Sequence, residues 1–205
     1  MELVYRTVLI NIIKKPLKAF RVIYYYGLDK YKYLFLSIAG ISYTINRQFF
    51  ILADSRTHLL WPLAGAVGLG ALLGWIGVAL LSQLIYWSGT WIKGKGSSGD
   101  ILNIASYAAL PDILRIISAL TCILLLRHFA YEDAQYPHVW GNIYYTIVRL
   151  KFYFGWAITL YYFVLLVIGI SVVQDFSIGK SILNLLLAIS IVMVPLGLLL
   201  ICLRF

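Results

Sequence analysis

The amino-acid sequence predicts an all-α, polytopic membrane protein: a bundle of five transmembrane helices with an amphipathic N-terminal interfacial helix. Hydrophobic residues make up 62% of the chain and charged residues only 12%, whereas soluble domains carry roughly 25% charged residues. The segment 59–92 contains no Asp, Glu, Lys or Arg, and about 20 apolar helical residues suffice to cross a bilayer. A small, flexible, basic stretch at 93–99 then separates this segment from another apolar one, which predicts a helical hairpin.

The chain of 205 residues has room for one membrane domain, 33–205, preceded by a basic lead-in, 1–32. The composition excludes a soluble enzyme. The two cysteines lie in apolar runs without a C-x-x-C pairing, which predicts buried thiols rather than a disulfide framework. Apolar stretches of sufficient length predict these spans: 33–52, 61–87, 101–126, 152–173 and 181–203.

The lead-in is predicted to be an amphipathic helix that lies in the membrane interface with its apolar side down. Pro16 suits the first turn of a helix, and Leu17, Phe20 and Tyr24 recur at helical spacing. The intervening cations either fix topology or bind a partner, and both interpretations stay open. Together with two lysines of the hairpin loop they form the predicted lipid or partner surface, which comprises Lys14, Lys15, Lys18, Arg21, Lys93 and Lys95.

The expected partners of these cations are anionic lipid head groups, and a membrane-protein partner or a second copy of the chain is a further possibility. Nucleic acid is not expected, because the basic residues flank spans instead of lining a polar, soluble face.

The first two spans contain a polar segment and a glycine stripe. Arg47 lies in the last third of the first span, where its side chain either snorkels to the interface or faces the bundle as a functional group. Gly70, Gly74 and Gly77 of the second span are predicted helix-packing positions, since small residues four apart allow close approach of helices in lipid. The contact is either intramolecular or the seam of a homodimer.

The third span begins with a capping-box spacing of Ser97 and Asp100. Pro111 then either kinks the helix or separates an interfacial turn from the span. Asp112 and Arg115 lie three residues apart on one helix face, so they can form an ion pair. With Arg47 they are the intramembrane polar candidates, and the pair is either structural or part of a solute path.

The last part of the chain determines the predicted orientation. An amphipathic piece at 127–151 precedes the fourth span, and Pro195 is expected to bend the fifth. If the chain crosses the membrane five times, ten basic residues outside the spans lie on the same side of the membrane as the N-terminus, and five lie on the opposite side. The positive-inside rule therefore predicts a cytoplasmic N-terminus and an external C-terminus.

Sequence patterns that resemble catalytic or cofactor-binding motifs do not lie in the structural context that those motifs require. The G-x-G-x-x-G at 94–99 follows a membrane helix rather than a strand, and 179–181 lacks the earlier glycine of a phosphate-binding loop. Nothing fixes the spacing of the three histidines as metal ligands. We therefore expect no enzyme activity, no cofactor and no metal.

Three segments in the same order resemble the Yip domain family, the Ypt/Rab-interacting five-span membrane proteins: KKPLKAFRVI, KGKGSSGDILNIASYAALPDIL and IGISVVQDFSIGKSILNLLL. The resemblance implies five membrane helices and a cytosolic N-terminus. For eukaryotic members it also implies interaction with small GTPases and with other family members during vesicle traffic. Those members carry a long polar N-terminal region, whereas only residues 1–32 precede the first predicted span here. The compact form resembles the prokaryotic branch, which implies a cell-membrane location.

Two functional hypotheses follow. The first is a non-enzymatic membrane scaffold or adaptor that acts through helix packing and a basic cytoplasmic face. The second is a small transporter or permeation pathway for a solute, ion or lipid, which would use Arg47, Asp112, Arg115 and the proline-interrupted spans.

Overall fold

The computed structural model describes residues 2–54, 58–132 and 137–202, and within these ranges every regular element is an α-helix. The prediction of an all-α membrane protein is confirmed. The helices are α1 (Glu2–Lys14), α2 (Pro16–Tyr25), α3 (Lys32–Arg47), α4 (Phe49–Ala53), α5 (Leu60–Trp91), α6 (Ser98–Ala108), α7 (Asp112–Glu132), α8 (Pro137–Gln174) and α9 (Ile178–Cys202).

Several of these helices are long and apolar enough to cross a membrane. Three pass alone over Leu60–Trp91, Asn142–Gln174 and Ile178–Gly197, and the bent pair α6 and α7 passes when its two helices are taken together. The predicted first span, 33–52, breaks at Gln48 into α3 and α4, and α3 has only 16 residues. The count of five spans therefore stays a prediction.

The chain divides into two compact units. Unit one consists of 1–32, 76–108 and 163–205, and unit two consists of 33–75 and 109–162. The long helices α5 and α8 contribute residues to both units.

The core of unit two is a hydrophobic cluster capped by an arginine. Arg127 Nη1 donates hydrogen bonds to the carbonyl oxygens of Leu52 (3.0 Å) and Asp54 (2.6 Å), at the C-terminus of α4. A cation at this end of a helix satisfies carbonyl groups that have no partner within the helix. The buried members of the cluster are Ile45, Phe49, Leu52, Ala53, Ala66, Ala119, Ile123 and Leu126.

A close antiparallel contact joins α3 to α5 within unit two. A Cβ atom placed on Gly40 would collide with the backbone of Gly70 and would lie 2.5 Å from the Cα atom of Gly74. Thr44 Oγ1 donates to the carbonyl oxygen of Ala66 (2.5 Å) in the same contact. The backbones meet because no side chain stands between them.

Gly77 does not belong to a helix contact. A Cβ atom added there would meet no atom within 4 Å. Among the residues that the structure describes, Gly77 therefore makes no close intramolecular contact, and a role for it at a homodimer seam stays a prediction.

The helix that contains the fourth predicted span, 152–173, begins well before residue 152. One continuous helix, α8, runs from Pro137 to Gln174, so residues 137–151 of the amphipathic segment and the fourth predicted span are parts of the same helix, whereas residues 127–132 belong to α7. Arg149 and Lys151 lie within α8 without interrupting it, and the start of the membrane span at 152 stays a prediction. Helix α9 likewise continues through Pro195.

The lead-in forms two helices, and Pro16 begins the second of them. The buried side of α2 consists of Ala19, Phe20 and Ile23, whereas Leu17 and Tyr24 of the predicted apolar face are exposed. Helix α2 packs against α1 and α6, so the protein itself covers Phe20, whereas Leu17 and Tyr24 remain exposed. The interfacial position of the helix stays a prediction.

Candidate functional site

The basic turn at 92–97 in unit one is a well-formed helix end followed by a helix start. Gly94 N donates to Gly89 O (2.8 Å) and Lys93 N to Thr90 O (3.2 Å), which is the Schellman pattern. Lys93 adopts the left-handed conformation, with φ of 67°. This position usually holds glycine, because a Cβ atom is strained there.

The predicted capping box is confirmed. Asp100 N donates to Ser97 Oγ (3.2 Å), and Ser97 N donates to Asp100 Oδ2 (3.3 Å). Helix α6 then begins at Ser98. The glycine-lysine run thus builds a fixed turn rather than a flexible linker.

The strained lysine gives a testable expectation for stability. Lys93→Gly should stabilise the protein by about 0.5–1 kcal/mol, since release of the left-handed strain outweighs the extra chain entropy of glycine. Lys93→Ala removes the same charge and keeps the strain, so it should not stabilise. Thermal unfolding in detergent, followed by tryptophan fluorescence, measures both. A Lys93→Gly protein that unfolds at or below the temperature of Lys93→Ala would contradict the assigned turn.

A second turn of the same kind joins α8 to α9. Asp175 has φ of 56°, and Phe176 N donates to Ser171 O (3.0 Å). Ser177 then caps α9, because its Oγ accepts from Lys180 N (3.4 Å) and its carbonyl oxygen accepts the first helical bond, from Ser181 N (3.0 Å).

The two turns of unit one contact each other directly. Lys95 Nζ lies 2.8 Å from Asp175 Oδ2 in an exposed ion pair, and Lys95 N donates to Gln174 O (3.4 Å). The hydrogen bond to Asp175 raises the pKa of Lys95, and the same bond lowers the pKa of Asp175. The ion pair therefore persists through the neutral pH range, is lost in acid as Asp175 is protonated, and is lost in strong base as Lys95 is deprotonated.

The buried side chain of Gln174 packs beneath the first of these turns. Its side chain is 1% exposed, and Nε2 approaches the carbonyl oxygen of Ile85 at 3.5 Å. A Cβ atom on Gly89 or Gly94 would collide with this amide, so the two glycines form a slot for the glutamine. Sequence reasoning missed this role, and the one signal for it is a lone glutamine at the end of a long apolar run.

Two further polar contacts, one buried and one partly buried, hold unit one together. Ser88 Oγ donates to Asn184 Oδ1 and approaches Asn184 O at 3.1 Å, so α5 is joined to α9. Asn103 Nδ2 donates to Leu28 O (3.0 Å), which joins α6 to the lead-in. Sequence reasoning missed both asparagines as well.

An open groove of about 660 Å³ lies where α2 passes the second turn. Arg21 lines it and forms no ion pair with any residue that the structure describes. Tyr25 and Tyr26 are 84% and 67% exposed. The lining residues include Leu17, Arg21, Val22, Tyr24, Tyr25, Tyr26, Ser171, Asp175, Phe176 and Ile178.

The buried polar candidates lie in unit two. Arg115 Nη1 lies 3.2 Å from Asp112 Oδ1, and Arg115 Nη2 donates to Thr159 Oγ1 (2.9 Å). Asp112 is 7% exposed. The predicted ion pair forms and is mostly shielded from solvent.

The comparison with known families agrees with this architecture. Residues 10–201 match the family model described as the Yip1 domain. The protein belongs to the Yip1 domain family. No curated protein and no solved structure matches the chain. The Yip1 match includes α2, both turns and every helix that passes the length and apolarity test for a span.

The predicted basic residues do not all lie at the same groove of the Yip1 domain. Lys14, Lys15 and Lys18 are exposed, and Lys18 lines a second groove, of about 880 Å³, between α1 and α2. Lys95 does not line the groove beside α2, but it is paired with Asp175, which does. Lys93 is exposed on the turn.

Arg47 stands apart from the buried pair of the Yip1 domain. It is exposed in the last turn of α3, a position that suits a snorkelling side chain. Among the residues searched, no group of three or more His, Cys, Asp or Glu could hold a metal ion.

Proposed function

We propose that this Yip1 domain protein is a non-enzymatic membrane scaffold or adaptor that recruits an acidic partner segment to the groove beside α2. The observation that supports the proposal is the combination of unpaired Arg21 and two exposed tyrosines on a fixed framework. Arginine and tyrosine are the residues that most often dominate binding at protein interfaces. The Yip1 family is not an enzyme family.

The framework around the groove is rigid enough to present these side chains without a large ordering cost. Gln174 fills its glycine slot, and Asp175 is paired with Lys95. Preorganised side chains lose less entropy on binding than flexible ones. The groove is therefore suited to specific recognition rather than to loose electrostatic attraction.

The exposed lysines of α1 and α2 complete the proposed surface. Each basic residue close to an anionic membrane contributes about 1 kcal/mol of attraction. We place these lysines against anionic lipid head groups on the cytoplasmic side of the cell membrane, following the positive-inside count. Gly70 and Gly74 of α5 are covered by α3, so we expect a partner to bind at the groove rather than at these two glycines.

Crosslinked, mild-detergent purification of the tagged protein from its own membranes tests the proposal. Lys18→Gln with Arg21→Gln removes two charges at the grooves. Arg47→Gln with Arg149→Gln removes two exposed charges from unit two and is the matched control. We expect one protein to co-purify with the wild type and with the control. Its recovery should fall at least fivefold with the groove variant, since charge-assisted hydrogen bonds each contribute about 1.5–3 kcal/mol.

Recovery of lipid alone in all three samples would contradict the adaptor function. Equal recovery of the same protein with both charge variants would contradict the groove as its contact site.

A second candidate, a small transporter, is favoured by one observation. Arg115 of α7 pairs with Asp112 and also donates a hydrogen bond to Thr159 of α8. Both helices belong to segments that are long and apolar enough to cross a membrane, α7 when it is taken together with α6. Paired charges inside membranes often belong to ion or proton paths. Solute flux into proteoliposomes should then fall with Asp112→Asn and with Arg115→Gln. Unchanged flux in folded variants would remove this candidate.

A further inference from the structure

A third groove, of about 250 Å³, lies in unit two and has no part in the proposed adaptor surface. Most of its lining residues belong to α8, in the part of that helix that is long and apolar enough to span a membrane. The residues on which the argument depends are Asn46, Arg115, Lys151, Phe152, Trp156 and Thr159.

The charges at this groove do not balance. Arg115 is paired with Asp112, which is not among the lining residues. Lys151 also lines the groove, and its ammonium lies 4.0 Å from the centre of the Phe49 ring. Lys151 forms no ion pair with any described residue. The three ionisable side chains therefore carry one excess positive charge beside a membrane span.

Such a charge is costly unless an anion compensates it. The cation–π contact with Phe49 offsets only part of the cost of taking an unpaired ammonium out of water. An anion bound between Lys151 and Arg115 would reduce this cost without any rearrangement of the helices.

Hydrogen-bond donors are available for the anion. Arg115 Nε is buried and has no hydrogen-bond partner among the described residues. Asn46 Nδ2 donates one hydrogen bond to Ser42 O, so its second N–H is available. Guanidinium, ammonium and amide donors together match the several acceptor oxygens of a phosphate group.

The groove walls are suited to a lipid. Phe152 and Trp156 are 57% and 55% exposed, and their ring centroids lie 6.1 Å apart. Aromatic side chains next to a polar group are typical of the depth at which lipid head groups meet acyl chains.

We propose that the Arg115–Lys151 groove is a phosphate-binding site. The phosphate belongs either to a phospholipid head group, whose acyl chains would lie along the aromatic walls, or to a small phosphorylated solute or free phosphate. The site is independent of the groove at Arg21.

Native mass spectrometry of the purified, full-length protein with defined lipids tests the site. The variant is Lys151→Gln, which removes the unpaired cation and leaves the Asp112–Arg115 pair intact. The control is Arg149→Gln, an exposed charge two residues earlier on the same helix that does not line the groove. Phosphatidylglycerol is compared with diacylglycerol of the same chain length, and inorganic phosphate is titrated separately by thermal shift against chloride at equal ionic strength.

We expect phosphatidylglycerol adducts to form with the wild type and with Arg149→Gln, and to weaken about tenfold with Lys151→Gln, as for the loss of one charge-assisted hydrogen bond. Diacylglycerol should not compete. A thermal shift with inorganic phosphate that is lost only in Lys151→Gln, without selective lipid adducts, would establish the site and assign it to a soluble anion. The proposal fails if the two variants bind both probes alike, or if diacylglycerol competes equally.

Discussion

Gly74→Val is expected to disrupt the contact between α3 and α5 and to leave little folded protein after extraction in mild detergent. The added Cβ atom would collide with the Cα atom of Gly40. The obstacle is backbone rather than the end of a flexible side chain, so the two helices must separate along their length. Overpacking usually costs about 1–3 kcal/mol, and we expect at least the upper end of that range here.

Gly68→Val is the matched control for this change. It places the same side chain on the same helix, at a position where an added Cβ atom meets nothing within 4 Å. We expect its unfolding temperature and its monodisperse fraction to stay close to those of the wild type. Equal damage from both substitutions would show that valine in α5 is harmful for a reason other than the Gly40 contact.

Arg115→Leu is expected to cost about 3–5 kcal/mol, because it leaves a buried carboxylate without its partner. Asp112 is 7% exposed and lies 3.2 Å from the lost guanidinium. The double variant Asp112→Leu with Arg115→Leu removes both charges, so it should recover most of this loss. Unfolding of the single and double variants in one detergent measures the coupling energy between the two side chains.

A coupling energy near zero would contradict a structural ion pair. The comparison also bears on the transporter candidate. A pair that serves transport alone would change flux while leaving the unfolding temperature unaltered.

Much of the fold could be predicted because helices in a membrane need long apolar runs and clear ends. The segment 59–92 indicated α5, and Ser97 with Asp100 indicated the start of α6. Pro111 lies at the break between α6 and α7. These signals are local, so each can be read from a few neighbouring residues.

The contacts that build the candidate site could not be predicted, because they join residues far apart in the chain. Nothing near Gln174 indicates that Gly89 and Gly94 form its slot. The apolar side of α2 could be recognised, but the sequence does not show whether lipid or α6 covers it. The excess charge at Lys151 likewise becomes visible only when Arg115 and Thr159 are placed beside it.

The most direct test of the adaptor function is photo-crosslinking from the groove in native membranes. A photoreactive phenylalanine analogue replaces Tyr25, which lines the groove, or Tyr153, which is 63% exposed in unit two. We predict one discrete protein adduct from position 25 that disappears when Arg21→Gln is added and that position 153 does not give. Lipid adducts alone from position 25, or the same protein adduct from both positions, would contradict recruitment through this groove.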